Sequence, residues 1–154
     1  MKALDEIGAL LASRECLILY SPLRTEVPFS EVLFLPEADI ALIPARASID
    51  PVAEANRLRE FAGNRDTVIL MPGRAFDALG TRLGQGGGWY DRFLATAPVE
   101  WLRIGFCFDN QLSATPLPRQ PWDEPVDVVC VVDRNTKVIR VMETRARMPA
   151  FLEN

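Results

Sequence analysis

Apolar runs of strand length alternate along the chain with stretches in which apolar residues recur at helical spacing. The runs are apolar nearly throughout, which is typical of strands that are buried on both faces. They predict strands at residues 16–20, 31–35, 39–43, 67–71, 102–108, 126–132 and 138–142. Prolines follow several of these runs and mark their ends.

The intervening stretches predict amphipathic helices at residues 3–12, 51–62 and 89–97. Asp50 suits the N-cap of the second helix and Pro51 its first position. The core-facing residues are expected to be Leu4, Ile7, Leu10 and Leu11 in the first helix, Val52, Ala55, Leu58 and Phe61 or Ala62 in the second, and Tyr90, Phe93, Leu94 and Ala97 in the third.

Strands that alternate with helices predict an α/β fold with a mainly parallel sheet flanked by helices. The length of 154 residues suits a single domain over residues 1–154. In such folds, ligands bind at the carboxyl ends of the strands, where loops meet helix N-termini. We therefore look for chemistry in the loops that follow the strands.

Composition narrows the function classes. The net charge of −4 argues against broad nucleic-acid binding, which requires a basic face. No apolar run is long enough to span a bilayer, and the first 14 residues do not resemble a signal peptide. The cysteines at 16, 107 and 130 lie in apolar runs and predict buried free thiols in a reducing cytoplasm.

The chain contains no histidine, which excludes catalysis by Ser-His-Asp or Cys-His groups and zinc sites built on histidine. Proton transfer must then fall to carboxylates, tyrosine, lysine or water. Any metal must be held by oxygen atoms, which favours magnesium.

The segment Met71–Arg92, MPGRAFDALGTRLGQGGGWYDR, follows a predicted strand and leads into a predicted helix. Four glycines within Gly84–Gly88 allow backbone N–H groups to converge beside the positive end of that helix, where a phosphate would bind. The segment lacks the lysine of a Walker A loop and does not complete the dinucleotide-binding G-x-G-x-x-G pattern. A flexible hairpin or a tight strand-to-helix turn is the alternative.

The segment resembles the signature PGxAFDxxGxRLGxGGGYYDRxL of 5-formyltetrahydrofolate cyclo-ligases, also called methenyltetrahydrofolate synthetases. The resemblance extends upstream to Tyr20 and Glu26 and downstream to Leu117-Pro118 and Asp123–Val129. It covers roughly residues 16–133, with the most specific motif in the middle.

The resemblance implies a fold of the type shared by ribose-phosphate isomerases and CoA transferases. It also implies a cytoplasmic enzyme that converts 5-formyltetrahydrofolate and ATP into 5,10-methenyltetrahydrofolate, ADP and phosphate, with Mg²⁺. In the family's reaction the formyl oxygen attacks the γ-phosphate, and attack by N10 then closes the ring and expels phosphate. The protein mainly positions the reactants and neutralises charge.

Carried over by position, the resemblance assigns the ATP site, with Arg82 as the catalytic residue, to Arg82, Leu83, Gly84, Gln85, Gly86, Gly87, Gly88, Trp89 and Tyr90. Asp91 and Asp123 would bind Mg²⁺. Glu26 would hold the pterin of the folate, and Trp89 would stack on it in place of a tyrosine.

Several of these residues have plainer alternatives. Glu26 suits a solvated loop carboxylate, Asp123 suits a turn before Pro125, and Asp91 suits a helix N-terminus. Asp77 is expected to fix the turn toward Gly80 rather than bind a ligand. Trp101 and Trp122 are expected to be packing residues, and Arg92 is expected to pair with a nearby carboxylate.

The chain also departs from the family pattern. The family's longer N-terminal helical segment, with a lysine and an arginine that contact ATP, has no match here, and Trp122 replaces a histidine. A nucleotide- or folate-binding module with little or no catalysis is therefore the alternative function. A homodimer that covers apolar surface is left open.

Overall fold

A computed structural model gives the fold of residues 2–29, 35–44, 49–84 and 88–144. The strands are β1 (Cys16–Tyr20), β2 (Asp39–Ile43), β3 (Thr67–Met71), β4 (Ala75–Phe76), β5 (Arg82–Leu83), β6 (Leu102–Phe108), β7 (Val128–Val132) and β8 (Ile139–Glu143). The helices are α1 (Lys2–Ala12), α2 (Pro51–Ala62) and α3 (Trp89–Thr96).

A six-stranded sheet has the order β2-β1-β3-β6-β7-β8. All neighbours in it pair in parallel except β8, which pairs antiparallel with β7 at one edge. Strands β1, β3 and β7 are buried at every position because helices cover both faces. The predicted α/β fold with a mainly parallel sheet is confirmed.

The helices divide between the two faces of the sheet. On one face, residues of α2 and α3, among them Leu58 and Phe93, pack with Ile18 and Ile69 of the strands. On the other face, Ile7 and Leu11 of α1 pack with Leu17, Leu19, Val68 and Leu70. Successive side chains of a strand point to opposite faces, so each strand contributes to both layers.

The caps predicted for α2 are present, since Asp50 accepts a hydrogen bond from the Ala53 N–H at 2.9 Å and Pro51 opens the helix. One core prediction is wrong. Val52 is 42% exposed, and the buried face of α2 contains Glu54 instead. Glu54 tolerates this position because it accepts two hydrogen bonds from the Arg57 guanidinium, at 2.8 and 2.7 Å.

A small antiparallel hairpin of β4 and β5 stands between β3 and α3. As predicted, Asp77 fixes its turn: one carboxylate oxygen accepts from the N–H groups of Leu79 and Thr81, both at 2.9 Å. Its other oxygen accepts from the Leu117 N–H at 2.7 Å. Gly80 has a positive φ of 83°, which suits glycine at the end of this turn.

Phe76 packs the hairpin against the sheet. Its ring is fully buried and lies over Gly105 in β6, where an added Cβ would come within 2.3 Å of the ring. On the hairpin, Phe76 pairs with Arg82, and its carbonyl accepts from the Ser113 N–H at 2.7 Å. A glycine in the central sheet thus allows the hairpin to approach closely.

The remaining boundaries differ slightly from prediction. The last two strands begin at Val128 and Ile139, and α3 ends at Thr96. The strand predicted at 31–35 falls mostly on residues 31–34, which lie outside the described part of the chain.

Cys16, Cys107 and Cys130 are buried free thiols, as predicted, and burial raises the pKa of Cys107 to about 12. Within the described ranges, no helix has the length and apolar character needed to cross a bilayer.

Candidate functional site

A cavity of about 340 Å³ opens at the carboxyl ends of β1, β2 and β3. In the strand order, β2 and β3 lie on opposite sides of β1, and such a switch point is where α/β sheets bind ligands. The predicted site residues that the structure describes all line this cavity: Glu26, Arg82, Leu83, Gly84, Gly88, Trp89, Tyr90, Asp91 and Asp123. Gln85, Gly86 and Gly87 lie outside the described residues.

Arg82 lies in a channel that two glycines leave open. An added Cβ at Gly73 would come within 2.9 Å of its Cγ atom, and one at Gly84 within 3.0 Å of its Nη1 atom. Nη1 donates to the Pro72 carbonyl at 3.0 Å, and the guanidinium lies over the Tyr90 ring, 5.0 Å from its centroid. The side chain is therefore held from several sides.

The guanidinium retains unused hydrogen-bonding capacity. Its Nε atom is buried and has no hydrogen-bond partner among the residues that the structure describes. Burial lowers the pKa of Arg82, whereas the charges of Asp91, Tyr90, Glu26 and Asp123 raise it. Since an arginine stays protonated in proteins, this is a fixed positive charge with a donor to spare, which suits an anionic group.

Helix α3 begins directly at the cavity. Gly88, with a positive φ of 64°, precedes its first residue and, having no side chain, supplies no capping hydrogen bond. The first N–H groups of a helix have no partner within the helix and carry its positive dipole end. Together with Arg82, this helix start could hold a phosphate-like anion.

Asp91 and Asp123 form a pair of carboxylates beside Arg82. Asp91 lies in the first turn of α3 and accepts from the Glu124 N–H at 3.0 Å. Asp123 accepts from the Gln120 N–H at 2.8 Å, so it also stabilises a turn, as in the alternative that the sequence left open. Burial and the neighbouring Asp123 raise the pKa of Asp91, while the Glu124 N–H and Arg82 lower it. A cation between the two carboxylates would relieve their mutual repulsion.

This donor set fits a divalent cation that is held in part by a ligand. Across the described portion of the chain, no three carboxylates or thiols gather at one place. Magnesium in proteins is commonly bound by one or two carboxylates together with phosphate oxygens and water. The carboxylate pair meets that requirement if a phosphate binds at Arg82.

Glu26 is not the solvated loop carboxylate that the sequence also allowed. It is only 5% exposed, and it accepts from the Leu23 N–H at 2.8 Å. The loop that carries it is fixed by the Tyr20 hydroxyl, which donates to the Val27 carbonyl at 2.6 Å. A buried carboxylate in a cavity wall is suited to bind N–H groups of a ligand.

Two aromatic residues form the wall at the start of α3. Trp89 stacks on Phe93 with centroids 5.4 Å apart, and its Nε1 atom donates to the Ile49 carbonyl at 2.9 Å. The indole is thus held between α3 and the segment before α2. Tyr90 packs edge-on against Trp89, and burial raises the pKa of its hydroxyl.

The prediction for the two other tryptophans is half right. Trp101 is buried in the core, as expected. Trp122 is not a packing residue: it is 67% exposed and lies at the wall of the cavity. It sits in the turn closed by Asp123 and lines the same cavity as the carboxylate pair.

Sequence reasoning also missed apolar residues that line the cavity, namely Leu23, Ile43, Pro44 and Pro72. Each lies at or just after the carboxyl end of β1, β2 or β3. The predicted strands and the rule that ligands bind at such ends would have been enough to find them.

The comparisons with known proteins all point to the same protein family. The model of the 5-formyltetrahydrofolate cyclo-ligase family matches residues 31–132. The 5-formyltetrahydrofolate cyclo-ligase of Escherichia coli K12 is 42% identical over 67 residues, which are 43% of this chain and 36% of that protein. The match therefore spans about a third of that relative.

Two matches are longer. The 5-formyltetrahydrofolate cyclo-ligase of Mycoplasma pneumoniae is 26% identical over 132 residues, covering 81% of this chain and 79% of that protein. A solved structure of a 5,10-methenyltetrahydrofolate synthetase from Mycoplasma pneumoniae has a TM-score of 0.54 at 21% identity, covering 83% of this chain and 81% of the other. This structural likeness supports the fold.

Proposed function

The chain belongs to the 5-formyltetrahydrofolate cyclo-ligase family, and we propose that it converts 5-formyltetrahydrofolate and ATP into 5,10-methenyltetrahydrofolate, ADP and phosphate. The observation that carries the proposal is the placement of Arg82. Its guanidinium, with a spare buried donor, lines the same cavity as two carboxylates and a helix start. This combination suits a phosphoryl group and its metal ion.

Arg82 and the start of α3 would bind the phosphates of ATP. The guanidinium offers a permanent positive charge, and Gly84 leaves space beside it because it has no side chain. Residues 84–88 connect β5 to the helix, so the first N–H groups of α3 lie at the same cavity as the guanidinium of Arg82. Since this charge is held before the ligand arrives, little reorganisation is needed during phosphoryl transfer.

Asp91 and Asp123 would hold Mg²⁺, which when bound supplies neutralisation of phosphate charge. The Glu124 N–H fixes one oxygen of Asp91, and the Gln120 N–H fixes one of Asp123. The cation would compete with the proton that the raised pKa of Asp91 favours. Metal binding is therefore expected to weaken at acidic pH.

Glu26, Trp89 and Trp122 would form the folate side of the cavity. The Glu26 carboxylate would accept hydrogen bonds from the amino and ring N–H groups of the pterin. Trp89 and Trp122 would supply flat apolar surfaces for its rings. Leu23, Ile43 and Pro44 also line the cavity and would exclude water from the reacting groups.

Substitution of Arg82 tests the proposal. Arg82→Ala is expected to lower the rate of methenyltetrahydrofolate formation by about 10²- to 10³-fold, as for loss of one donor to a developing charge. Arg74→Ala is the matched control, because Arg74 is exposed, precedes the same hairpin and does not line the cavity. Equal activity of the two variants would contradict the assigned role of Arg82.

A second test concerns the ring-binding surface. Trp122→Ala is expected to raise the KM for 5-formyltetrahydrofolate about twofold to tenfold, the value of one aromatic stacking contact. Trp122→Phe should retain most of the affinity. If Trp122→Ala instead raises only the KM for ATP, the indole contacts adenine rather than the folate.

A further inference from the structure

Arg103 is a buried cation within an otherwise apolar strand. It lies in β6, where its neighbours are Leu102 and Ile104, and it is only 1% exposed. Burying a charge is costly unless the charge is paired and hydrogen-bonded. The buried charge of Arg103 therefore lowers the stability of the fold unless its partners compensate, which suggests that the charge has a function.

The guanidinium of Arg103 is attached to the segment that precedes β7. Its Nη1 atom donates to the Glu124 carboxylate at 2.9 Å and to the Pro125 carbonyl at 3.1 Å. Asp127 adds two further connections: its carboxylate accepts from the Arg103 N–H, and its own N–H donates to the Arg103 carbonyl, both at 2.9 Å. Residues 124–127 are thus attached to β6 through Arg103.

The same segment reaches the carboxylate pair. Asp123 directly precedes Glu124, and the Glu124 N–H donates to Asp91 at 3.0 Å. Any displacement of Glu124 would therefore move Asp123 and release Asp91 together. Arg103 itself does not line the cavity, so its effect would pass through Glu124.

We propose that the Arg103–Glu124 ion pair is a positioning device that holds Asp91 and Asp123 in register for a divalent cation. The inference rests on the cation site of the proposed function. Arg103 is buried and Glu124 is half-buried. Stability alone is a weak explanation for the pair, because apolar residues of similar volume commonly replace an ion pair with a buried member without loss of stability. Groups that orient metal ligands, in contrast, typically change metal affinity about 10- to 100-fold when removed.

The test replaces the pair without changing net charge. In the double variant Arg103→Met/Glu124→Leu, the packing volume is roughly kept while the side-chain attachment of Glu124 and Pro125 to Arg103 is lost. The hydrogen bonds between Asp127 and the backbone of residue 103 remain. Calorimetric titration with Mg²⁺ in the presence of ATP, with the heat of Mg²⁺ binding to free ATP subtracted, should show at least about tenfold weaker binding than in the wild-type protein. The melting temperature should stay close to that of the wild type. Glu124→Gln is the second variant, in case the double variant does not fold: it keeps one oxygen acceptor but removes the charge of the pair, and Mg²⁺ binding should weaken, by less than in the double variant.

Asp66→Asn is the matched control. Asp66 pairs with Arg14 at 3.1 Å, and neither residue lines the cavity, so Mg²⁺ affinity should be unchanged. Unchanged Mg²⁺ affinity in both Arg103–Glu124 variants would overturn the positioning role while leaving the proposed function intact. A wild-type protein that binds no Mg²⁺ even with ATP present would instead remove the cation site itself, and this inference with it.

Discussion

The contact between Phe76 and Gly105 makes a sharp prediction, because the substitution Gly105→Ala adds a single carbon to the core. The new Cβ would lie 2.3 Å from the Phe76 ring, whereas carbon atoms normally approach to about 3.5 Å or more. The ring would have to retreat by more than 1 Å, roughly the difference between these distances. Phe76 is fully buried, so it has no solvent to move into.

The backbone of Phe76 is also fixed, by its pairing with Arg82 and by the hydrogen bond from Ser113. We therefore expect a cost near the upper end of the usual overpacking range, about 3 kcal/mol. For a chain of this size that corresponds to a fall in melting temperature of about 6–12 °C. Because the hairpin carries Arg82, ATP affinity measured on the folded variant should fall as well.

A matched control and a rescue complete the experiment. At Gly8 in α1, an added Cβ meets nothing within 4 Å, so Gly8→Ala should be neutral or stabilise by up to about 1 kcal/mol. In Gly105→Ala/Phe76→Leu, the smaller side chain makes room, and the loss should be smaller than the sum of the two single losses. A Gly105→Ala protein that matches the wild type in melting temperature and ATP affinity would refute the close packing of Phe76 on Gly105.

Three further predictions concern separate parts of the molecule. In Gly84→Ala, the added Cβ would lie 3.0 Å from the Nη1 atom of Arg82 and displace the guanidinium. Stability should change little, because only the end of a side chain moves, but ATP affinity measured by calorimetry should fall about tenfold or more. An unchanged ATP affinity would show that the guanidinium contacts no phosphate. Hydrogen bonds from the N–H groups of Thr136 and Asn135 hold the pKa of Asp133 below its usual 3.8, so the stability that Asp133 contributes is present above pH 3.8 and is lost as pH falls through the lowered pKa. In urea unfolding between pH 5 and pH 3, the unfolding free energy of Asp133→Asn should therefore decline less steeply than that of the wild type. Parallel declines in the two proteins would contradict this prediction. Lys137 has a positive φ of 64°, so Lys137→Gly should raise the unfolding free energy by up to about 1 kcal/mol in urea melts, and a destabilised variant would contradict this.

The sequence predicts the frame of the molecule well because its central strands are buried on both faces. Continuous apolar runs such as residues 67–71 leave no ambiguity about burial. Val52 shows where periodicity fails: it lies near the start of α2, and tertiary packing there favours Glu54, whose charge is satisfied by Arg57. Pattern alone does not reveal that a carboxylate has a partner on the next turn.

The site residues within one continuous motif can be predicted from the sequence, whereas those that the fold brings together from distant segments are harder to predict. Arg82 and Asp91 belong to one continuous segment, so their proximity follows from the chain itself. Asp123 and Glu26 come from distant segments, and only the family resemblance placed them in the site. Trp122 was misjudged because a lone tryptophan is usually buried, and its exposure depends on the turn that Asp123 closes.

In the proposed function, one cavity binds both reactants and couples their conversion. The most direct measurement mixes the protein with ATP, Mg²⁺ and 5-formyltetrahydrofolate and follows methenyltetrahydrofolate absorbance and ADP release together. We predict about one ADP for each methenyltetrahydrofolate formed and no ADP without the folate, as expected when chemistry requires both reactants to be positioned. A protein whose melting temperature rises with ATP but that forms no product would contradict the claim and identify a binding module.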